Sequence, residues 1–188
     1  MSVSIMNMDN VTTRMVTDGD GAKSSSADLF AQIVYLGNKI TSSQVTSYTE
    51  WAVISGLKMN VWRHESGDVS NSATNSSAML GMDEIEFALP CSDVDITAIQ
   101  AIANGQAVNI TFMKTGNISS HSVPIEEWDF ANVQIVSTFF FIQSAATPCV
   151  TIRFKAKQMQ IKRSAYGADG KASGQKVFLI DFVKNTST

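Results

Sequence analysis

Hydrophobic and polar residues alternate in short runs between residues 28 and 184, which is the pattern of β-strands that bury one face. In the run at 51–61 the predicted apolar face is carried by Trp51, Val53, Leu57, Met59 and Val61. The runs cover residues 29–35, 51–61, 85–89, 108–112, 128–136, 138–142, 150–163 and 177–183. Turn-forming residues separate them, so we predict an all-β chain of about eight to ten strands.

One segment, residues 92–103, has helical instead of strand periodicity. Ser92 or Asp93 can cap its N-terminus, and Ser92 with Asp95 resembles a capping box. Asn104-Gly105 supplies a left-handed stop. The predicted buried face is a set of apolar residues at spacings of three and four: Ile96, Ile99, Ile102 and Ala103.

Three further features bear on the architecture. Residues 63–79 and 115–124 have no apolar periodicity and are predicted to be loops, the first of them long. Residues 139–142 are apolar on both faces of the strand. We therefore expect both faces to be covered, within the domain or by a neighbouring subunit. The apolar phase slips near Lys157-Gln158, which predicts a β-bulge that bends the strand. An antiparallel barrel or a tight sandwich is the natural packing.

Composition narrows the class of protein. Only 16% of residues are charged, and the net charge of −3 argues against a dedicated nucleic-acid binder. No apolar run reaches the ~18 residues of a membrane span. Residues 1–27 are polar, without the apolar centre of a secretion signal, and are predicted to be a flexible arm. Cys91 and Cys149 are isolated, so we expect two half-buried thiols and a reducing place of synthesis.

No motif of catalysis or metal binding emerges from the residues. His64 and His121 are the only histidines, and neither has a metal-ligand pattern around it. Residues 167–174 fail the phosphate-loop pattern and are predicted to be the turn of a closing hairpin. We therefore predict no enzyme activity, no metal and no cofactor. A basic stripe along residues 153–163 is interpreted as a solvated strand face or as a subunit interface that meets acidic residues.

The order of these elements resembles the haemolysin-coregulated protein (Hcp) family, the tube protein of the bacterial type VI secretion system. The resemblance covers residues 28–184, and no single motif carries it. The segments that carry it are the opening strand Asp28-Leu29-Phe30-Ala31-Gln32-Ile33 before Gly37, residues 48–59 through Trp51, the long loop after Trp62, the strand 85–89 leading into the helix and Asn104-Gly105, and Gly170-Lys171-Ala172-Ser173-Gly174 before Val177-Phe178.

The resemblance implies a domain at residues 28–188 in which two antiparallel sheets form a β-barrel, with one helix at the side and a long extended loop. It implies hexameric rings stacked into a tube, expelled by a contractile sheath, with baseplate or spike proteins as partners and effectors as cargo. It implies secretion from the bacterial cytoplasm by that system, without membrane insertion. The expected inter-ring contacts are Trp62, Val69, Ala73, Met79 and Leu80. The expected ring interface is Phe139, Phe141, Arg153 and Lys155.

Two alternatives stay open at this point. A tail-tube protein of a phage or of a phage-derived contractile particle has a related fold. A β-sandwich binding module would have the same strand pattern but would need a clustered polar pocket, because fold alone does not define a site.

Overall fold

The computed structural model describes residues 29–40, 48–64, 79–118, 121–144, 146–167, 171–184 and 186–187. Within these ranges the chain forms thirteen strands, paired antiparallel, and one helix. The elements are β1 (Leu29–Tyr35), β2 (Asn38–Ile40), β3 (Ala52–Val53), β4 (Gly56–Lys58), β5 (Val61–His64), β6 (Met79–Met82), β7 (Ile85–Pro90), α1 (Asp93–Asn104), β8 (Val108–Ile118), β9 (His121–Phe141), β10 (Cys149–Lys155), β11 (Gln158–Tyr166), β12 (Ala172–Asp181) and β13 (Thr186–Ser187). The predicted arm at residues 1–27 lies outside the described residues.

Two sheets share strand β9. In the first sheet β2 and β3 pair with one edge of β1, and the order continues β1-β8-β9-β11-β12-β13. In the second sheet the order is β9-β10-β7-β4. The prediction of a mainly β chain with antiparallel sheets and a helix is confirmed. No pairing among the described strands closes the two sheets, so the closed barrel stays a prediction.

Strand β9 corrects two predictions. The predicted polar loop at 115–124 is wrong, because the ends of β8 and β9 pair across it as far as Ile118 and His121. The two strands predicted at 128–136 and 138–142 are one strand of 21 residues. The strand changes partner from β8 to β10 near Asn132, which has a positive φ of 51° and donates its backbone N–H to Asn109 Oδ1 at 2.9 Å. A strand that serves two sheets has no single face pattern along its length.

The long strand predicted at 51–61 is also wrong, because the chain crosses there from one sheet to the other. The backbone N–H of Ile54 donates to Leu29 in the first sheet at 3.1 Å, and that of Ser55 donates to Ala88 in the second at 2.9 Å. Ala52 and Ile54 are buried before the crossing, whereas Leu57 and Met59 pack partly against the core after it. The crossing reverses the apolar phase, so one face could not hold throughout.

The core between the sheets is built around four fully buried aromatic rings. Their centroids lie 5.1–6.2 Å apart, mostly in edge-to-face arrangements, which aromatic pairs favour. The rings are Phe87, Phe112, Phe130 and Phe154. Phe130 and Phe154 lie between more exposed residues along their strands, whereas Ala88 and Met113, which follow Phe87 and Phe112, are buried as well.

A second buried layer lies on the other side of the first sheet. Phe30 and Met113 are opposite each other in the β1–β8 ladder and are buried, although they alternate with the core residues. The ring of Tyr48 packs on Phe30 with centroids 4.7 Å apart, and its hydroxyl donates to the Ser122 carbonyl at 3.2 Å. Residues before β3 therefore cover this part of the sheet.

Helix α1 begins and ends where the sequence predicts, but it packs through the opposite face. Ser92 Oγ accepts from the Val94 N–H at 3.4 Å, and Gly105 closes the helix at φ +62°. The buried residues are Val94, Ala98 and Ala101, together with Asp95 and Thr97. The predicted buried face is wrong, because Ile96, Ile99 and Ile102 are 56%, 45% and 38% exposed. Small side chains let the helix approach the core closely, which leaves the larger isoleucines outside.

The phase slip near Lys157-Gln158 is a corner between sheets, not a bulge within one strand. Strand β10 ends at Lys155 and β11 begins at Gln158 in the other sheet. Asp181 stabilises this corner by accepting from the backbone N–H of Lys184 and Val183 and from the Gln158 amide. The Lys184 N–H foremost, and then the Gln158 amide, hold the pKa of Asp181 below its ordinary value.

Candidate assembly surfaces

The region that the sequence predicts to be a long loop begins and ends in two short strands, which pair as a hairpin. Strands β5 and β6 pair from Val61 with Met82 to His64 with Met79, so the ends of that loop are strands. Trp62, Met79 and Leu80, three of the predicted inter-ring contacts, lie in these two strands, with Leu80 on the face opposite Trp62. Val69 and Ala73, the other two, lie outside the described residues.

Trp62 is a fixed, half-exposed aromatic platform at the base of this hairpin. Its cross-strand partner is Gly81, and the indole lies where a side chain at that position would be. The indole Nε1 donates to Asp83 Oδ1 at 2.9 Å, while the Asn60 amide donates to Asp83 Oδ2 at 2.8 Å. The ring is 41% exposed. A glycine opposite and a carboxylate at its edge therefore fix the orientation of the indole.

The four predicted ring-interface residues share the outer face of the second sheet. In the β9–β10 ladder Phe141 is opposite Cys149 and Phe139 is opposite Thr151. Arg153 and Lys155 follow on the same face of β10, because they alternate with the buried Ile152 and Phe154. Phe139 is 59% exposed. The face is thus aromatic at one end and charged at the other.

Four cations of the basic stripe have acidic partners within the same chain: Arg153, Lys155, Lys162 and Arg163. Arg153 Nε lies 2.8 Å from Glu86, and Lys155 Nζ lies 3.4 Å from Glu84. Further along, Lys162 Nζ lies 2.6 Å from Asp129 and 3.6 Å from Glu127. The hydrogen bond to Asp129 raises the pKa of Lys162. Neighbouring strands of this chain supply the acids, and exposed pairs of this kind contribute only about 0–1 kcal/mol each.

Sequence reasoning missed two exposed apolar surfaces. The isoleucines of α1 were expected in the core. Strand β12 was expected to bury one face, yet Val177, Phe178 and Leu179 are 50%, 45% and 36% exposed. Contiguous exposed apolar residues often mark interaction sites. The available sequence signal was the low charged fraction of the whole chain, 16%.

The two cysteines are free thiols, with Cys149 buried and Cys91 partly buried. Burial, with a hydrogen bond to Asp95, raises the pKa of the Cys91 thiol to about 11, and burial raises the pKa of Cys149 as well. Within the described ranges, no three His, Cys, Asp or Glu side chains form a group that could hold a metal ion. No helix in the part of the chain that the structure describes is long and apolar enough to cross a membrane.

Comparison with known proteins gives structural matches without sequence matches. No family model matches the chain, and no curated protein matches its sequence. A solved structure described as a type six secretion system protein matches with a TM-score of 0.72 and 13% identity, covering 86% of this chain and 99% of that one. Hcp1 from Salmonella typhimurium matches with a TM-score of 0.63 and 8% identity over 86% and 99%.

A third structure, a type VI secretion system effector from Yersinia pestis, matches with a TM-score of 0.60 and 14% identity over 82% and 99%. This chain matches all three structures over almost their full length, although its sequence differs from theirs at most positions. The resemblance drawn from the order of elements is thereby confirmed at the level of fold: this chain has the fold of the Hcp proteins of type VI secretion systems.

Proposed function

We propose that this chain is a structural subunit of the inner tube of a type VI secretion system. Its copies would form hexameric rings that stack into a tube, and a contractile sheath would expel that tube. The observation that carries the proposal is the match to secretion-system structures over 86% of this chain and 99% of theirs. Sheath, baseplate or spike proteins would be its partners, and effectors could travel in the pore.

The outer face of the second sheet supports a contact between subunits. Phe139 lies at one end of that face and is 59% exposed, and Ile142, just after the end of β9, is 72% exposed. Large apolar side chains this exposed often mark interaction sites. Phe141 lies beside them on the same strand. Arg153 and Lys155 would contribute orientation more than affinity, because both are already paired with Glu86 and Glu84.

The hairpin of β5 and β6 supports a contact between stacked rings. Its aromatic platform at Trp62 is fixed before any partner arrives, so a neighbouring ring would lose little conformational freedom on binding it. Met79 and Leu80 lie in the strand that pairs with the strand of Trp62. Together with Val69 and Ala73 they are proposed to extend the contact.

The same proposal assigns no catalytic role to the chain and no cofactor. The protein would be made in the bacterial cytoplasm and exported by the contractile apparatus itself. Its function would depend on surfaces that join identical subunits, for which a head-to-tail contact whose rotation closes is sufficient.

The test is the state of assembly of the purified full-length chain. Light scattering should give a mass near that of a hexamer, and negative-stain microscopy of the same fraction should show six-fold rings. A monomer at every concentration, alone and with sheath and baseplate components, would overturn the proposal and favour a binding module.

The hairpin contact has its own test. Deletion of residues 66–78 should leave rings intact and abolish their stacking, because it removes Val69 and Ala73 and shortens the connection between β5 and β6. Tubes of unchanged length from the deleted chain would show that stacking uses another surface.

A further inference from the structure

Helix α1 presents an apolar surface that its own domain does not cover. Ile96 lies almost opposite the fully buried Ala98, and Ile99, about 100° from Ala98, lies on the flank of the same exposed face. The segment 91–107 contains Asp93 and Asp95 but no lysine or arginine. The surface is therefore apolar with negative charge at the N-terminal end of the helix, where Asp93 is exposed.

Strand β12 presents a second apolar surface of opposite charge. From Ala172 to Leu179 every residue is exposed, since the strand pairs with β11 on one side and meets β13 only at Ile180 and Asp181. Lys176 and Phe178 share one face of the strand because they are two residues apart. The segment 171–184 carries three lysines against one aspartate, and that aspartate lies 3.8 Å from Lys184.

We infer that α1 of one copy of this chain packs on β12 of the next, with Ile96 and Ile99 against Phe178 and Asp93 towards Lys176. Two different surfaces of one chain then meet head to tail, which is the contact that generates rings. Opposite charge favours this pairing over the pairing of two α1 helices, whose exposed Asp93 side chains would repel each other and whose two-fold contact would stop at a dimer. The inference rests on the proposed function and adds a second contact between subunits to the one proposed at the outer face of the second sheet.

The first experiment perturbs the two surfaces in the full-length chain. Ile96→Ser, Ile99→Ser and Phe178→Ser should each raise the concentration needed for assembly about tenfold or more, because each removes an apolar side chain buried in the contact. Leu36→Ser is the matched control, since Leu36 is 67% exposed and lies outside both surfaces, in the turn after Tyr35, whose hydroxyl accepts from Asn104 at the C-terminal end of α1. Asp93→Lys and Lys176→Glu should each weaken assembly, and the two changes together should restore it.

The second experiment detects the contact directly. A mixture of the Ile99→Cys chain and the Phe178→Cys chain should give covalent dimers on mild oxidation with diamide, whereas each chain alone and the pair Leu36→Cys with Phe178→Cys should not. Rings that form without this cross-link, and that the serine variants leave unchanged, would overturn the inference and leave the proposed function standing. A wild-type chain that forms no rings would overturn the proposed function, and the cross-link would still decide whether these surfaces meet.

Discussion

The contact between Trp62 and Gly81 shows how a single residue can set the geometry of a surface. The indole occupies the space above Gly81, and Asp83 holds its Nε1. A Cβ at position 81 would come closer to the ring than carbon atoms can approach. The glycine is required for space, since its φ is not positive.

We expect Gly81→Ala to displace the Trp62 indole and break its hydrogen bond to Asp83. The emission of that tryptophan should shift, and its quenching by acrylamide should increase, while the core stays folded. Gly174→Ala is the matched control, because nothing lies within 4 Å of a Cβ there and its φ is not positive. Equal fluorescence changes in the two variants would contradict the packing described for Trp62.

The thiol of Cys91 is the second feature at this scale. Its pKa of about 11 lies above the ordinary value of 9.0 because burial and Asp95 disfavour the thiolate. Since the thiolate is the nucleophile, we expect alkylation of Cys91 by iodoacetamide at pH 8 to be on the order of a hundredfold slower in the folded than in the urea-unfolded chain.

The pH dependence of this group has a definite sign. A raised folded-state pKa leaves its contribution to the free energy of unfolding intact below the unfolded value near 9, and that contribution is lost as pH rises towards about 11. Peptide mass spectrometry after timed labelling measures Cys91 and Cys149 separately. Equal labelling rates for Cys91 in the folded and unfolded chains would contradict the burial of its thiol.

At the scale of elements, α1 carries two sets of apolar residues at helical spacing. The spacing predicts the helix but does not tell which of the two sets is buried. Val94, Ala98 and Ala101 follow one another at spacings of four and three, and the three isoleucines follow one another at spacings of three. Both sets therefore have the spacing of a helix face. The smaller side chains face the core because they permit closer packing against β9 and β1. The larger, more hydrophobic stripe was the natural prediction and is the exposed one.

We expect Ala98→Leu to lower the free energy of unfolding by about 1–3 kcal/mol, because Ala98 is fully buried and the site has no room for a larger side chain. Ile99→Ser should change it by less than about 0.5–1 kcal/mol, since Ile99 is 45% exposed and serine costs only slightly in helix propensity. Urea unfolding followed by circular dichroism measures both. The reverse ranking would show that the isoleucine face packs on the core.

At the scale of the whole molecule, stability and assembly rest on different aromatic residues. Phe154 is fully buried in the ring cluster, whereas Phe139, on the neighbouring strand, is 59% exposed. Phe154→Ala should lower the free energy of unfolding by about 3–5 kcal/mol, a large share of the stability of a typical domain.

Phe139→Ala is the partner variant for that experiment. It should leave the unfolding of the isolated subunit within about 0.5 kcal/mol of wild type, and under the proposed function it should weaken assembly. Denaturant unfolding under monomeric conditions gives the first quantity, and light scattering against concentration gives the second. A large loss of subunit stability in Phe139→Ala would place this residue in the core instead.

The sequence by itself determined the strand class, the caps of α1 at Ser92 and Gly105, and the inward positions of Phe87, Phe112 and Phe154. These features depend on neighbours within a few residues: side-chain alternation, capping geometry and glycine conformation are all local. The order of such elements was also enough to identify the Hcp fold, although sequence identity to the matched structures is only 8–14%.

Only the tertiary structure decided where a strand changes sheet, as at Ile54, Asn132 and Lys157, and which face of α1 is buried. It also brought Trp62 onto Gly81 and left the residues of β12 uncovered. These features depend on pairing between residues that are distant in sequence. A local pattern shows that a residue is apolar, but its burial depends on which other element arrives to cover it.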